Sequence, residues 1–274
     1  MADRFEFQLD VVEALVVGRA TGADIRQFPL RTGHLPVDPV RYVQVAKQVY
    51  AALEDRRLSV SGELQPGVRA AFELLAHHRV ALAVSGVDGL GADIAVLALT
   101  DGAQALGITQ SAQTDDLLFS LFEDEELVDV ITGVLPPAEA AKTGKHSVRH
   151  QAMPTMSAMA ARRIAEAEFE EEETDAFGNI EVRSVVRPGR RPRQAPDVAV
   201  LERVLAEPRL GGGYLVATGT GRHGERLTGE PLSWLDTADG RYLVHTTGDL
   251  NAEYVPAGRA DVARAVRELI AAVY

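Results

Sequence analysis

Apolar residues recur along this chain in two rhythms, and the switches between them mark out its elements. Tyr42, Val45, Ala46, Val49, Ala52 and Leu53 fall at three- and four-residue spacing, the period of a helix buried along one stripe. Asp38-Pro39 supplies the start of that helix, a capping carboxylate followed by proline at the first helical position. A second helix is predicted from Pro66, carrying Val68, Phe72, Leu75 and Ala76. Upstream, Phe5–Leu9 alternates as a short strand and Val11–Arg19 follows as a helix, before Gly22 and Phe28-Pro29-Leu30 break the pattern.

The rhythm then changes. Arg79–Ser85 and Ala92–Thr100 are rich in Val, Ile and Leu and read as strands, joined by the glycine-rich loop Gly86–Gly91. Asp101-Gly102 predicts a tight turn into a returning strand over Ala103–Thr109. Asp115–Phe122 fits a strand or a helix. Glu123–Val134 reads as a helix with its carboxylates at the N-terminal end, where the helix dipole favours them. Pro136-Pro137 closes this half.

A polar middle follows. Pro154–Glu173 is predicted helical, apolar at first and acidic at its end. Arg187–Pro196 (RPGRRPRQAP) is too dense in proline, glycine and arginine to pack and reads as an exposed linker. Val198–Ala206 is predicted as a helix and Gly213–Gly219 as a strand. Leu232–Thr237 and Tyr242–Thr247 are further strands, joined at the hairpin signal Asp239-Gly240. A short strand at Glu253–Pro256 leads to a helix over Gly258–Tyr274, apolar on the face of Val262, Ala265, Val266, Leu269, Ile270 and Val273.

Aligning Leu75–Arg79 with Leu205–Arg209 places a helix end before a strand in both halves, and the same order of elements follows each. The expected fold is therefore α+β, one domain over residues 1–274 with a central antiparallel sheet. Its pseudo-symmetric halves cover about 1–150 and 196–274, joined by the polar helix and linker of 151–195. Short hairpins suit antiparallel pairing rather than a wound parallel sheet.

Composition narrows the function. In 274 residues there are 28 Lys and Arg against 40 Asp and Glu, a net charge of −12, so a polyanion meets a repulsive field and nucleic-acid binding is disfavoured. The absence of cysteine excludes disulfides, thiolate catalysis and zinc–sulfur sites. The start MADRFEFQLD lacks a signal-peptide pattern, and no window approaches the roughly 18 apolar residues of a membrane span. A cytoplasmic protein without stable membrane insertion is expected.

Candidate chemistry is sparse. Gly211-Gly212-Gly213 would need a strand before it and a helix after it to cradle phosphate; the predicted order is the reverse, so a flexible turn is expected. His146 and His150 share four-residue spacing but lack a third ligand and a general base, and exposed loop histidines are expected. His77 and His78 sit at a helix end, and His245 on a strand. His223 and Glu225 could form an acid–base pair, with Asp236 as a further polar group, yet Gly221–Arg226 reads as a hairpin tip. The acidic run Glu168–Asp175 lacks the pattern of a calcium loop. No serine occupies a G-x-S-x-G elbow. No catalytic residue, metal site or cofactor is expected, and the chain is not read as an enzyme. Leu232, Trp234 and Asp236 share one strand face, so Trp234 is expected to anchor the core; turned outward, it would anchor a partner.

Residues Gly221-Arg222-His223-Gly224, Leu232-Ser233-Trp234-Leu235-Asp236-Thr237 and Asp239-Gly240-Arg241-Tyr242 carry a family resemblance, with Phe28-Pro29-Leu30 and the Tyr42–Leu53 helix fitting more loosely. The chain resembles the EspG family, secretion-associated proteins of type VII (ESX) systems. That resemblance implies a cytosolic chaperone with a central antiparallel sheet, flanking helical bundles and quasi-two-fold symmetry. It also implies a partner, the helical tip of a secreted PE–PPE-type heterodimer, kept soluble and directed to its secretion system. The family's binding loop would correspond here to Gly86–Gly91, with Val87 and Leu90 as its apolar members and Asp88 as its charge. Residues 160–195 look longer and more polar than the family's usual connection. Two alternatives stand beside this reading: a scaffold or regulator that forms homo-oligomers through its sheet, and a small-molecule-binding domain built on His223, Glu225 and Asp236.

Overall fold

The computed structural model describes residues 4–149, 209–221, 223–247 and 251–274. The helices expected at Pro154–Glu173 and Val198–Ala206, the linker Arg187–Pro196 and the acidic run Glu168–Asp175 lie outside these residues. The first half contributes strands β1 (Phe5–Leu9), β2 (Ser59–Val60), β3 (Glu63–Leu64), β4 (Val80–Val87), β5 (Asp93–Thr100), β6 (Gln104–Gln110) and β7 (Leu117–Glu123). Helices α1 (Val11–Thr21), α2 (Pro39–Asp55) and α3 (Pro66–His77) precede β4, and α4 (Leu127–Val134) follows β7 after a single 3-10 turn. Then come β8 (His146–Arg149), β9 (Gly211–Thr220), β10 (Arg226–Thr228), β11 (Leu232–Thr237), β12 (Gly240–Thr247), β13 (Asn251–Pro256) and α5 (Arg259–Ala271).

Local signals placed the helix ends. The Asp38 carboxylate accepts from the amides of Val40 and Arg41 at 2.8 and 3.0 Å, with Pro39 behind it. Asp10 and Glu13 form a reciprocal capping box on α1, which stops where Gly22 turns left-handed at φ 78°. At the end of α3, His78 Nδ1 lies 3.0 Å from the Leu75 carbonyl and donates to it. The ambiguous stretch Asp115–Phe122 is strand: β7 pairs with β6 on one side and β1 on the other. Glu123, expected to open a helix, is the last residue of that strand, opposite Gln104.

One antiparallel sheet runs in the order β1-β7-β6-β5-β4-β9-β11-β12-β13-β8, with β10 hydrogen-bonded to β9 off that path. The order reads the same outward from its centre. From β4, strands β5, β6 and β7 lie successively outward, ending at β1; from β9, strands β11, β12 and β13 do likewise, ending at β8. Each series then leads into a helix, α4 or α5, and the two helices pack together. The halves meet along β4 and β9, paired from Val80↔Gly219 to Val87↔Gly212.

The centre of the sheet is buried on both faces. In β5, Leu97 and Leu99 join Phe72, Leu75, Val16 and Leu53 in a core under α1–α3. Val96 and Ala98 point the other way, into a core with Ile131, Val262 and Val266 under α4 and α5. Burial on both sides explains the near-continuous apolar runs of β4 and β5, which lack strict alternation. Phe119 stacks between Phe7 and Phe72, with ring centroids 4.8 and 5.5 Å away.

Two devices hold the second half together. Trp234 is 2% exposed and lies over the β4–β9 seam, as its strand-face pattern implied. Its ring needs bare backbone beneath it: a Cβ on Gly86 would sit 2.8 Å from Trp234 Cη2, and one on Gly213 would sit 2.6 Å from the Gly86 Cα. Gly211-Gly212-Gly213 is therefore the first stretch of β9, not the flexible turn expected from its composition. Among the described residues the indole N–H has no hydrogen-bond partner, and the ring is held in the slot by packing.

The second device is a clasp. Arg241 reaches across the β11–β12 hairpin to Asp236 with two bonds of 2.7 Å, and its Nη2 also donates to the Pro136 carbonyl at 2.6 Å. Both side chains are buried, so either charge left alone would cost several kcal/mol, roughly 3–5. At the turn, Asp239 accepts from the Thr143 amide and the Tyr242 hydroxyl, each at 2.9 Å. The connecting segment is thus strapped onto the hairpin. Burial pushes the Asp239 carboxyl up, but its bonds from Thr143 and Tyr242 outweigh this and hold it below 3.8.

Gly213→Ala is expected to lower the unfolding free energy by about 3 kcal/mol or more, read from urea midpoints. Gly133→Ala, in α4 with nothing within 4 Å, should raise it by about 0.5 kcal/mol. A carboxyl held low stabilises the fold above its unfolded value, and the contribution is lost as pH falls through the folded value. The gap in urea midpoint between the native chain and Asp239→Asn should therefore be full at neutral pH and close below pH 3.8.

Candidate docking surface

The hairpin between β4 and β5 closes on Val87↔Asp93 and leaves 88–92 as its loop. That is shorter than the glycine-rich loop Gly86–Gly91 expected from the sequence. Gly86 and Val87 belong to β4, and Val87 is half-buried. Asp88 organises the turn: its amide donates to the Ala92 carbonyl, and its Oδ1 accepts from the amides of Leu90 and Ala92 at 2.8 and 2.9 Å. Gly91 supplies the left-handed residue the turn requires, at φ 78°. Leu90 stands at the tip, 95% exposed. An apolar side chain so placed leaves about 1.5–3 kcal/mol of burial unrealised.

The loop is fixed at its base as well. Arg31 bridges Asp93 at 2.6 Å and Asp115 at 3.2 Å. On the other side the chain entering β9 lies directly against it. A Cβ on Gly89 would be 2.7 Å from the Leu210 carbonyl oxygen, and one on Gly211 would be 3.0 Å from that of Val87. Leu210 donates its amide to the Asp236 carbonyl at 2.8 Å and is itself 48% exposed. Sequence reasoning did not single out Leu210. The signal was there, a lone large apolar residue between Pro208-Arg209 and the glycines.

The residues of the small-molecule alternative are not brought together. Glu225 turns back on its own hairpin tip, its carboxylate accepting from the His223 amide at 2.9 Å. Asp236 is held in the clasp. Thr220, which pairs with Arg226, and Gly211, which pairs with Asp236, are the opposite ends of β9, about 30 Å apart at strand rise. A cavity of about 540 Å³ lies instead beside β1, lined by Glu6, Gln8, Asp10, Glu13, Arg56 and Asp116 among others. Its carboxylates have partners on their own wall: Glu13 pairs with Arg56, Asp116 accepts from Gln8, and Glu6 accepts from Ser120.

His77 and His78 lie at the end of α3 and His245 in β12, as expected, but His146 departs from expectation. His146 is not an exposed loop residue. It lies in β8 opposite Tyr254, is 5% exposed, and among the described residues neither ring nitrogen has a hydrogen-bond partner. Edge-strand packing against Tyr242 and Tyr254 buries it, a tertiary effect that spacing does not reveal. His150 lies outside the described residues. Among the described residues no group of three or more His, Asp or Glu is placed to hold a metal ion. None of the described helices is long and apolar enough to cross a membrane.

The EspG family model matches residues 10–268, and this chain belongs to the EspG family. No curated protein matches it. Among solved structures it is similar to the Mycobacterium tuberculosis type VII secretion system chaperone EspG5, determined in complex with a PE25–PPE41 dimer. The two share 13% sequence identity and a TM-score of 0.59, over 98% of this chain and 97% of that one. At that identity the likeness shows a common fold.

Replacing Asp88 by Ala removes the acceptor for two loop amides in an exposed turn. Hydrogen exchange at the Leu90 and Ala92 amides should accelerate at least about tenfold, while global stability changes by less than about 1 kcal/mol.

Proposed function

We propose that this chain is a type VII secretion chaperone that holds a helical PE–PPE-type heterodimer in the cytoplasm before export. Leu90 carries the reading. A leucine 95% exposed on a loop immobilised by its own hydrogen bonds is a preformed apolar contact. Membership of the EspG family, and the shared fold with a chaperone solved in complex with a PE25–PPE41 dimer, support that partner class. In this reading Leu90 is the buried anchor, Val87 supports it from the last position of β4, and Asp88 positions the loop rather than pairing with the client.

The alternatives find less support. Self-association through the β1 edge would have to displace Arg56, which already donates to the outward carbonyl of Gln8 at 3.0 Å. A small-molecule site would need His223, Glu225 and Asp236 to converge, and Glu225 and Asp236 are engaged elsewhere.

Co-expression with each PE–PPE-type heterodimer of the same genome, followed by size-exclusion chromatography, should yield one co-eluting complex. Leu90→Ser should weaken that complex by more than about tenfold with an unchanged melting temperature. If no heterodimer co-elutes, the proposal is wrong.

A further inference from the structure

The β4–β5 loop does not stand alone at its end of the sheet. Strand β4 leaves the β4–β9 seam at Val87, and β9 enters it at Gly212, its partner in register. The residues just beyond that pair lie side by side: 88–92 on one chain segment, Arg209 and Leu210 on the other. Both segments are exposed at this point. The contact between Gly89 and the Leu210 backbone leaves no room even for a methyl group. Leu210 is further pinned through its amide to Asp236, the residue held by the buried Arg241 clasp. Two partly or wholly exposed leucines, one from each half of the molecule, are thus carried on rigid backbone at neighbouring strand ends.

We infer that Leu210 is a second apolar contact of the docking surface, so that the client is gripped across the seam by both halves and not by the β4–β5 loop alone. This rests on the chaperone reading above. The occupant is one amphipathic helix at the client's tip, laid across the seam. Neighbouring strands are about 5 Å apart, close to the spacing of i and i+4 side chains on one helix face. The fully projecting Leu90 meets the apolar face of that helix, and the less exposed Leu210 meets the same face one turn away. The surface is continuous with the loop and shares its buttress, which ties it to the same partner.

Leu210→Ser and Leu90→Ser, singly and together, separate the outcomes. Titrations use the heterodimer that co-elutes with the native chain. Leu210 has about half its area left to bury, so Leu210→Ser should weaken binding about fivefold, against more than about tenfold for Leu90→Ser. A photo-crosslinking residue at position 210 should link to the client helix. If Leu90→Ser disrupts the complex while Leu210→Ser does not and position 210 fails to crosslink, the composite surface is refuted and the chaperone reading stands. If neither substitution alters binding, the composite surface and the Leu90 anchor are refuted while the chaperone reading stands; if no heterodimer co-elutes, both are refuted. If the chain alone is a dimer by light scattering and Leu210→Ser makes it monomeric, Leu210 belongs to a self-interface and the inference is again overturned. Circular dichroism melts of each variant should match the native chain, and Leu210→Lys repeats the test with a side chain suited to an exposed position.

Discussion

The pairing of β4 with β9 is the constraint on which the rest of this molecule depends. It is the seam at which two series of strands, each ordered outward in the same sense, become one sheet. Everything placed at the seam is chosen for close approach. Gly86 faces Gly213 because the Trp234 ring lies over both, and a methyl group on either would strike it. Without the slot, Trp234 could not take its place beside Val84 and Leu215 in the core under α4 and α5.

Beyond the seam, at the exposed end of the sheet, the backbone following each strand lies against the other and is fixed by hydrogen bonds and an ion pair. Asp88 draws its own loop closed, Arg31 ties the base of β5, and Leu210 leans on Gly89 while bonded to Asp236. Rigidity at an apolar tip matters for binding, because side chains already ordered in the free protein lose little entropy on docking. The same elements that stabilise the fold therefore hold the two exposed leucines in place.

The residues that carry the family resemblance turn out to be structural. Asp236 and Arg241 form the buried clasp, Asp239 and Tyr242 receive the connecting segment at Thr143, and Trp234 fills the glycine slot. None of these lies at the loop tip. A pattern that identifies the family therefore reports how the second half is held together, while the exposed leucines at 90 and 210 lie outside it, where composition carries little signature. Packing constrains the buried residues of a scaffold from several sides, whereas an exposed loop tip is held only by its own turn.

What the sequence settled by itself is local. Asp38-Pro39, Asp10 with Glu13, and Gly22 fix helix ends because each acts within four residues along the chain. The strand runs of β4, β5, β11 and β12 and the Asp239-Gly240 turn were legible for the same reason, and so was Trp234 as a core residue. Only the tertiary structure decided that Gly211–Gly213 is strand, since the need for glycine comes from a ring on β11. It alone decided that Asp115–Phe122 pairs on both sides, that His146 is buried, and that Leu210 stands beside the β4–β5 loop. Each of those outcomes depends on a neighbour far away in the chain. Local preference cannot register a contact whose partner reaches it only when β4 meets β9.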